Sequence, residues 1–397
     1  MLKIRAKSNI VLGVLSLLSL MALTVVENSK TTVKQEWYNE KIEASNLSKK
    51  MADYIKDYRL KKGVFIDNVN DPNKTALIGQ EYSLITTDRG NIDAKLSTTN
   101  PNYAAIIVQL LKDAGVNKGD NVAIAMTGSF PGLNISVLAA LQTLKLKPII
   151  ISSVGSSNWG ANDPYFTWLD MENLIYTAGI SNYKSVAASM GGGNDRGRGL
   201  SLKGRSLIKK AIKRNKIDFI DEEFLENSIE ERMMIYGKYA GNNKIKAFIN
   251  VGGGIASLGN SVNGRIIASG LTQNLPVKNF PAKGVIIKMG HKEVPIIHLL
   301  NINRLNEKYG LQKSPVPLPK PGEGEIFAEK RYSIATTLIA TILLLIVIIV
   351  VYISETKAHK LGSNFTDASK SNTTTPKLAI IKKLDPKVIK MKIKKYS

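Results

Sequence analysis

The chain has 397 residues, 55 Lys and Arg against 32 Asp and Glu for a net charge of +23, and no cysteine. The missing cysteine excludes a disulfide framework, a lipoprotein attachment site and thiolate metal ligands. A 44% hydrophobic content suits one sizeable core with apolar segments beyond it.

A basic arm (1–9, with Lys3, Arg5 and Lys7) precedes a charge-free run at 10–26, long enough to cross a hydrocarbon core as a helix. A cleaved signal peptide starts the same way, but the run ends Ala22-Leu23-Thr24-Val25-Val26 without a small-residue cleavage pattern. Residues 27–62 carry Trp37, Ile42, Leu47, Met51, Ile55 and Tyr58 at helical spacing among Lys, Glu and Asn, and read as a helical stalk.

An α/β domain is predicted over 63–312. Its clearest unit is a helix at 103–114, a strand at 120–126, the turn Thr127-Gly128-Ser129-Phe130-Pro131-Gly132, a helix at 133–144 and a strand at 147–152. Helices at 200–215 and 222–239 follow, then a strand at 246–251 that runs into three glycines. Helices alternating with short apolar strands predict a mostly parallel sheet covered on both faces. The proline-rich stretch at 313–332 reads as an extended tether, 333–353 as a second charge-free membrane helix, and 354–397 as a tail holding eleven Lys and three acids, disordered over 363–376.

The basic arm and the basic tail both favour the cytoplasmic side, which puts the domain between them outside the cytoplasm. Lys330 and Arg331 oppose this locally. Setting aside the arm and the tail leaves 41 basic against 29 acidic residues, an excess of twelve on the domain. Such a surface favours polyanions, and no helix-turn-helix, zinc-finger or RNP pattern points to nucleic acid.

Four segments are candidates for a site. Thr127, Gly128, Ser129 and Asn134 sit where a strand hands over to a helix, a place for anions or simply a tight turn, without a P-loop or dinucleotide-binding pattern. Gly252, Gly253 and Gly254 occupy the equivalent place after another strand, and two such turns at one sheet edge would form a cleft. Between them lies a glycine-rich loop with Asp195, Arg196 and Arg198, either a clamp for carboxylate or phosphate or a solvated loop. Asn158, Trp159 and Asp163 lie in a polar loop that suits a carbohydrate or peptide-like ligand, or a lid. His291 and His298 lack metal-pair spacing, and Ser129 lacks a nucleophile-elbow pattern, so the reading assigns no metal, no cofactor and no catalytic residue.

Residues 97–134 (STTNPNYAAIIVQLLKDAGVNKGDNVAIAMTGSFPGLN), 152–172 (SSVGSSNWGANDPYFTWLDME), 191–201 (GGGNDRGRGLS) and 250–259 (NVGGGIASLG) resemble the poly-γ-glutamate system proteins, membrane-anchored components encoded with a capsule polymer synthetase. The resemblance implies an accessory role in synthesis or export of an anionic γ-linked glutamate polymer at a bacterial cytoplasmic membrane, with synthetase or export subunits as partners. The alternative is an extracytoplasmic γ-glutamyl hydrolase or transferase acting in a cleft at Thr127, Ser129, Asp195 and Gly252 to Gly254.

Overall fold

The computed structural model describes residues 9–370, with side chains as far as Lys357. The arm before residue 9 and the tail beyond Lys370 lie outside the described residues. Two compact units are present, the sheet domain Thr32–Lys330 and the terminal segments on either side of it.

In the terminal unit, α1 (Asn9–Asn28) is 20 residues long, about 30 Å, and apolar enough to cross a membrane. Next come β1 (Thr31–Lys34) and α2 (Tyr38–Lys61). The sequence predicts a stalk for α2, but α2 is a packed layer of the domain. Ala44, Met51 and Ile55 have no exposed surface, and Ser48 Oγ lies 3.2 Å from Ser136 Oγ. Burying Met51 and Ile55 each contributes about 1.5–3 kcal/mol, enough to hold a sparsely apolar helix against α4 (Tyr103–Asp113) and α5 (Pro131–Thr143) rather than in water.

β2 (Thr86–Asp88), α3 (Ile92–Thr98) and α4 (Tyr103–Asp113) lead into β3 (Asn121–Thr127), α5 (Pro131–Thr143), β4 (Lys147–Ser153) and the short β5 (Ser156–Ser157). α6 (Trp168–Thr177), β6 (Ala187–Ser189), α7 (Leu202–Arg214), β7 (Asp218–Ile220), α8 (Leu225–Ala240) and β8 (Ile245–Val251) continue the alternation. The domain closes with α9 (Ile255–Leu258), α10 (Asn263–Ile266), β9 (Gly270–Thr272), α11 (Val285–Gly290), β10 (Ile296–Leu299), α12 (Ile302–Tyr309) and β11 (Ala328–Arg331), which pairs with β1.

Seven strands form the main sheet in the order β7-β6-β4-β3-β8-β10-β9, all parallel except β9, which runs antiparallel to β10. Period-2 alternation sends side chains to two cores. Val122, Ile124, Met126 and Ile249 face α4 and α5, while Ala123, Ile149, Ile151 and Phe248 face the layer of α8, α9 and α11. Both faces are covered, as the continuous apolar strands predict.

The chain winds outward from β3 through β4 and β6 to β7, then returns to place β8 on the other side of β3. The C-terminal ends of β3 and β8 therefore flank a topological switch point, where the loops diverge and leave a crevice.

The segment predicted as a tether is extended but strapped to the domain. Asn73 Nδ2 donates to the Pro315 carbonyl at 2.7 Å, Asn102 Nδ2 donates to the carbonyls of Lys320 and Glu323, and Phe327 is fully buried. α13 (Ile334–Lys370) ends the described chain, and its stretch Ile334–Lys357 has the length and hydropathy of a membrane span. The predicted disorder from 363 therefore falls on helix as far as Lys370 and outside the described residues after it.

Candidate functional site

A cavity of about 410 Å³ occupies the switch-point crevice. The ends of β3 and β8 approach closely there. Thr127 Oγ1 donates to the Val251 carbonyl at 3.2 Å, and Gly252 has φ +86° with no room for a Cβ, which would stand 2.4 Å from Thr127 Oγ1. Thr127, Ser129, Gly253 and Gly254 line the cavity. The two turns that the sequence places after parallel strands thus share one cleft. Gly128 sits behind the wall, its carbonyl accepting from Ala161 N at 2.7 Å and Ser156 Oγ at 3.0 Å. Asn134 is fully buried and donates to the Thr127 carbonyl at 2.9 Å, so it braces the turn from inside.

The glycine-rich loop divides by residue. Gly192 and Gly193 line the cavity. Asp195 lies beneath it, 2% exposed, in an ion pair with Arg232 at 2.8 Å, and accepts from Ser189 Oγ and Ser228 Oγ at 2.7 Å each. Arg196 and Arg198 are not in the cavity wall; Arg196 faces Asp221 at 3.8 Å and Arg198 is exposed.

The tryptophan loop is mostly architectural. Asn158 is buried with its side-chain oxygen on Gly90 N at 2.9 Å, the Trp159 amide donates to the Gln80 carbonyl, and Asp163 caps the Tyr165 amide at 2.9 Å. None of the three lines the cavity.

Two histidines are separate from the cleft. His291 is an exposed helix cap. His298 is fully buried, its Nδ1 accepting from Asn250 Nδ2 at 3.0 Å, and burial pulls its pKa down to about 4, which keeps the ring neutral. Among the described residues no group of three or more His, Asp or Glu is placed to hold a metal ion.

The decisive residue, Lys95, carries no sequence signal. It projects from α3, whose start is capped by Asn91 Oδ1 accepting from Ala94 N at 2.9 Å. The Lys95 side chain is 2% exposed; its Nζ donates to the Ser129 carbonyl and to Ser157 Oγ at 2.8 Å, and stands 3.9 Å from the Phe130 ring centroid. Burial pushes its ammonium down to about 7, and among the described residues no carboxylate pairs with it. Lys95 lines the cavity with Asp88, Arg89, Thr87, Ser153 and Ser157. An ammonium in the wall of a cavity, with a carbonyl and one hydroxyl as its partners, suits a carboxylate or phosphate, and its neutral amine suits proton abstraction.

Comparison of the chain with family models, characterised proteins and solved structures finds no match. Function therefore rests on the cleft. The stretch 87–95, which holds Arg89 and Lys95, forms one side of its wall, and the segments 97–134, 152–172, 191–201 and 250–259 all contribute to the rest. These supply Thr127, Ser129 and Phe130, then Ser153, Gly155 and Ser157, then Gly192 and Gly193, then Gly253, Gly254 and Ile255.

Proposed function

We propose that this protein is a membrane-anchored accessory component of poly-γ-glutamate capsule synthesis or export. α1 and α13 cross a bacterial cytoplasmic membrane and meet the synthetase or export subunits, and the sheet domain handles the anionic polymer on the extracytoplasmic side. The observation that carries this reading is Lys95, a buried amine that no carboxylate pairs with among the described residues, in the wall of an open cleft that Asp88 and Arg89 also line. A carboxylate of the polymer would supply the missing countercharge. Two further facts support it: each of the segments that resemble the poly-γ-glutamate system proteins contributes residues to this cleft, although Arg89 and Lys95 come from outside them, and the domain carries a positive excess that steers polyanions.

The test is binding of γ-linked polyglutamate to the full chain in detergent across a salt series. Affinity is expected to fall steeply between 0.05 and 0.5 M salt, since the Debye length shrinks below about 10 Å above 0.1 M. Lys95→Met and Arg89→Ala should each weaken it further. Equal affinity for the polymer and for its uncharged γ-methyl ester would overturn the reading. The hydrolase or transferase alternative draws on a different feature of the same cleft, the contact between Lys95 and Ser157.

A further inference from the structure

Ser157 is built into the cleft wall, and among the described residues its hydroxyl has one hydrogen-bond partner, Lys95. Its backbone is fixed in β5, which pairs in parallel with β2, and its amide donates to Ser129 Oγ at 3.0 Å. The neighbouring Ser156 turns away, its hydroxyl donating to the carbonyls of Gly128 and Ser157. The Ser157 hydroxyl instead faces the cavity, and its hydrogen-bond partner is Lys95 Nζ at 2.8 Å. Gly90 passes so close that a Cβ there would lie 3.2 Å from Ser157 Oγ, so the backbone over the hydroxyl is bare. Gly253 and Gly254, across the same cavity, use neither amide in a hydrogen bond to a protein acceptor among the described residues.

We propose that Ser157 and Lys95 form a nucleophile–base pair that hydrolyses an amide bond in a carboxylate-bearing chain held in this cleft. For the identity of that chain the inference rests on the polymer reading above; the pair itself does not. Serine nucleophiles work with lysine bases when the amine is held neutral beside the hydroxyl. Burial brings the Lys95 ammonium down to about 7, so neutral amine and cation coexist near that pH, and the other charged groups lining the cavity are Asp88 and Arg89.

The chemistry balances within the pair and one water. Ser157 Oγ bonds to the amide carbonyl carbon as its proton passes to Lys95 Nζ. Collapse of the tetrahedral intermediate breaks the carbon–nitrogen bond, and the leaving amine takes that proton. Water then attacks the acyl ester, Lys95 accepts its proton and returns one to Ser157 Oγ, and the freed carboxyl group ionises.

The full chain in detergent is treated first with a fluorophosphonate probe, which marks activated serines, and separately with γ-linked polyglutamate, reading new amine ends and chain length. Ser157 should carry the phosphonyl group in the peptide map, with a labelling rate that rises about tenfold from pH 6 to pH 8 as the amine loses its proton. Ser157→Ala and Lys95→Arg should lose both label and cleavage while melting near the wild type. Polymer binding without a label at Ser157 and without new amine ends would overturn the pair and leave the binding role standing. A label at Ser157 in a protein that neither binds nor shortens the polymer would keep the pair and overturn the polymer as its substrate. Cleavage that persists in Ser157→Ala would also overturn it.

Discussion

Asp195 and Arg232 form an ion pair of 2.8 Å in which each side chain is 2% exposed. Asp195 comes from the glycine-rich loop and Arg232 from α8, so the pair ties the loop behind the cleft to the helical layer that covers the sheet. Ser189 and Ser228 saturate it with hydrogen bonds to both partners. Removing one charge leaves the other buried and unpaired, which costs about 3–5 kcal/mol. Asp195→Ala should therefore lower unfolding stability by that order in denaturant titration, and Asp195→Leu with Arg232→Met should recover most of it. A loss below about 1 kcal/mol in the single variant would show that the loop is held by other contacts.

Glu172 is on the buried face of α6, accepting from Ser185 N at 2.8 Å and Ser185 Oγ at 3.0 Å. Desolvation raises its pKa to about 7, against which the Ser185 hydrogen bonds and Lys184 work. The folded pKa lies above the unfolded one. The neutral acid thus stabilises the fold below pH 4.5, and that contribution fades as pH rises to 7. Gln mimics the neutral form, so stability of Glu172→Gln relative to wild type should climb by up to about 3 kcal/mol between pH 4.5 and 7. A flat difference across that window would refute the raised pKa.

His298 has the opposite sign. Its folded pKa of about 4 lies below the unfolded value, so the unfolded chain takes up protons first and wild-type stability falls as pH drops from 6.5 to 4. Replacement by Asn, which cannot charge, should flatten the acid limb of a stability–pH curve. An unchanged limb would mean that other groups set it.

Much of the scaffold is legible in the sequence because β3, β4 and β8 carry short apolar runs, Val122–Met126, Ile149–Ile151 and Ala247–Ile249, between polar or turn-forming residues, a pattern that suits parallel central strands. The cleft follows from two such strands ending in glycine turns. β9 escapes notice because it is three residues long and starts at a glycine with φ +91°. α2 shows its helical period but not its destination, since Lys and Glu surround the few apolar positions that reach the core. The strap at 313–330 depends on Asn73 and Asn102, over 200 residues away, which no local pattern reveals. Lys95 is one cation among 55 in the composition; only burial beside Phe130 and Ser157 distinguishes it.

Gly252 and Thr127 test how tightly the switch point is closed. A methyl group at Gly252 meets Thr127 Oγ1 at 2.4 Å and must also adopt φ +86°, unfavourable for any L side chain. Gly252→Ala should lose about 2–4 kcal/mol, of which about 1–2 kcal/mol is backbone strain. Adding Thr127→Ala removes the steric part and should restore stability in part, never wholly. Full recovery in the double variant would mean that the backbone there relaxes freely.

Topology can be read directly because the chain has no cysteine. Single cysteines at Lys3, Asn194 and Ser371 report the arm, an exposed loop of the sheet domain and the tail. Eleven tail lysines should outweigh Lys330 and Arg331, since long translocated domains are largely exempt from the charge rule. With both α1 and α13 inserted, an impermeant maleimide on intact cells should modify Asn194→Cys alone, and the other two should react after permeabilisation. Loss of the Lys3→Cys residue from the mature chain would identify 10–26 as a cleaved signal and leave α13 as the anchor. Labelling of Ser371→Cys from outside would exclude a double-spanning arrangement and, with it, docking to a synthetase through two helices.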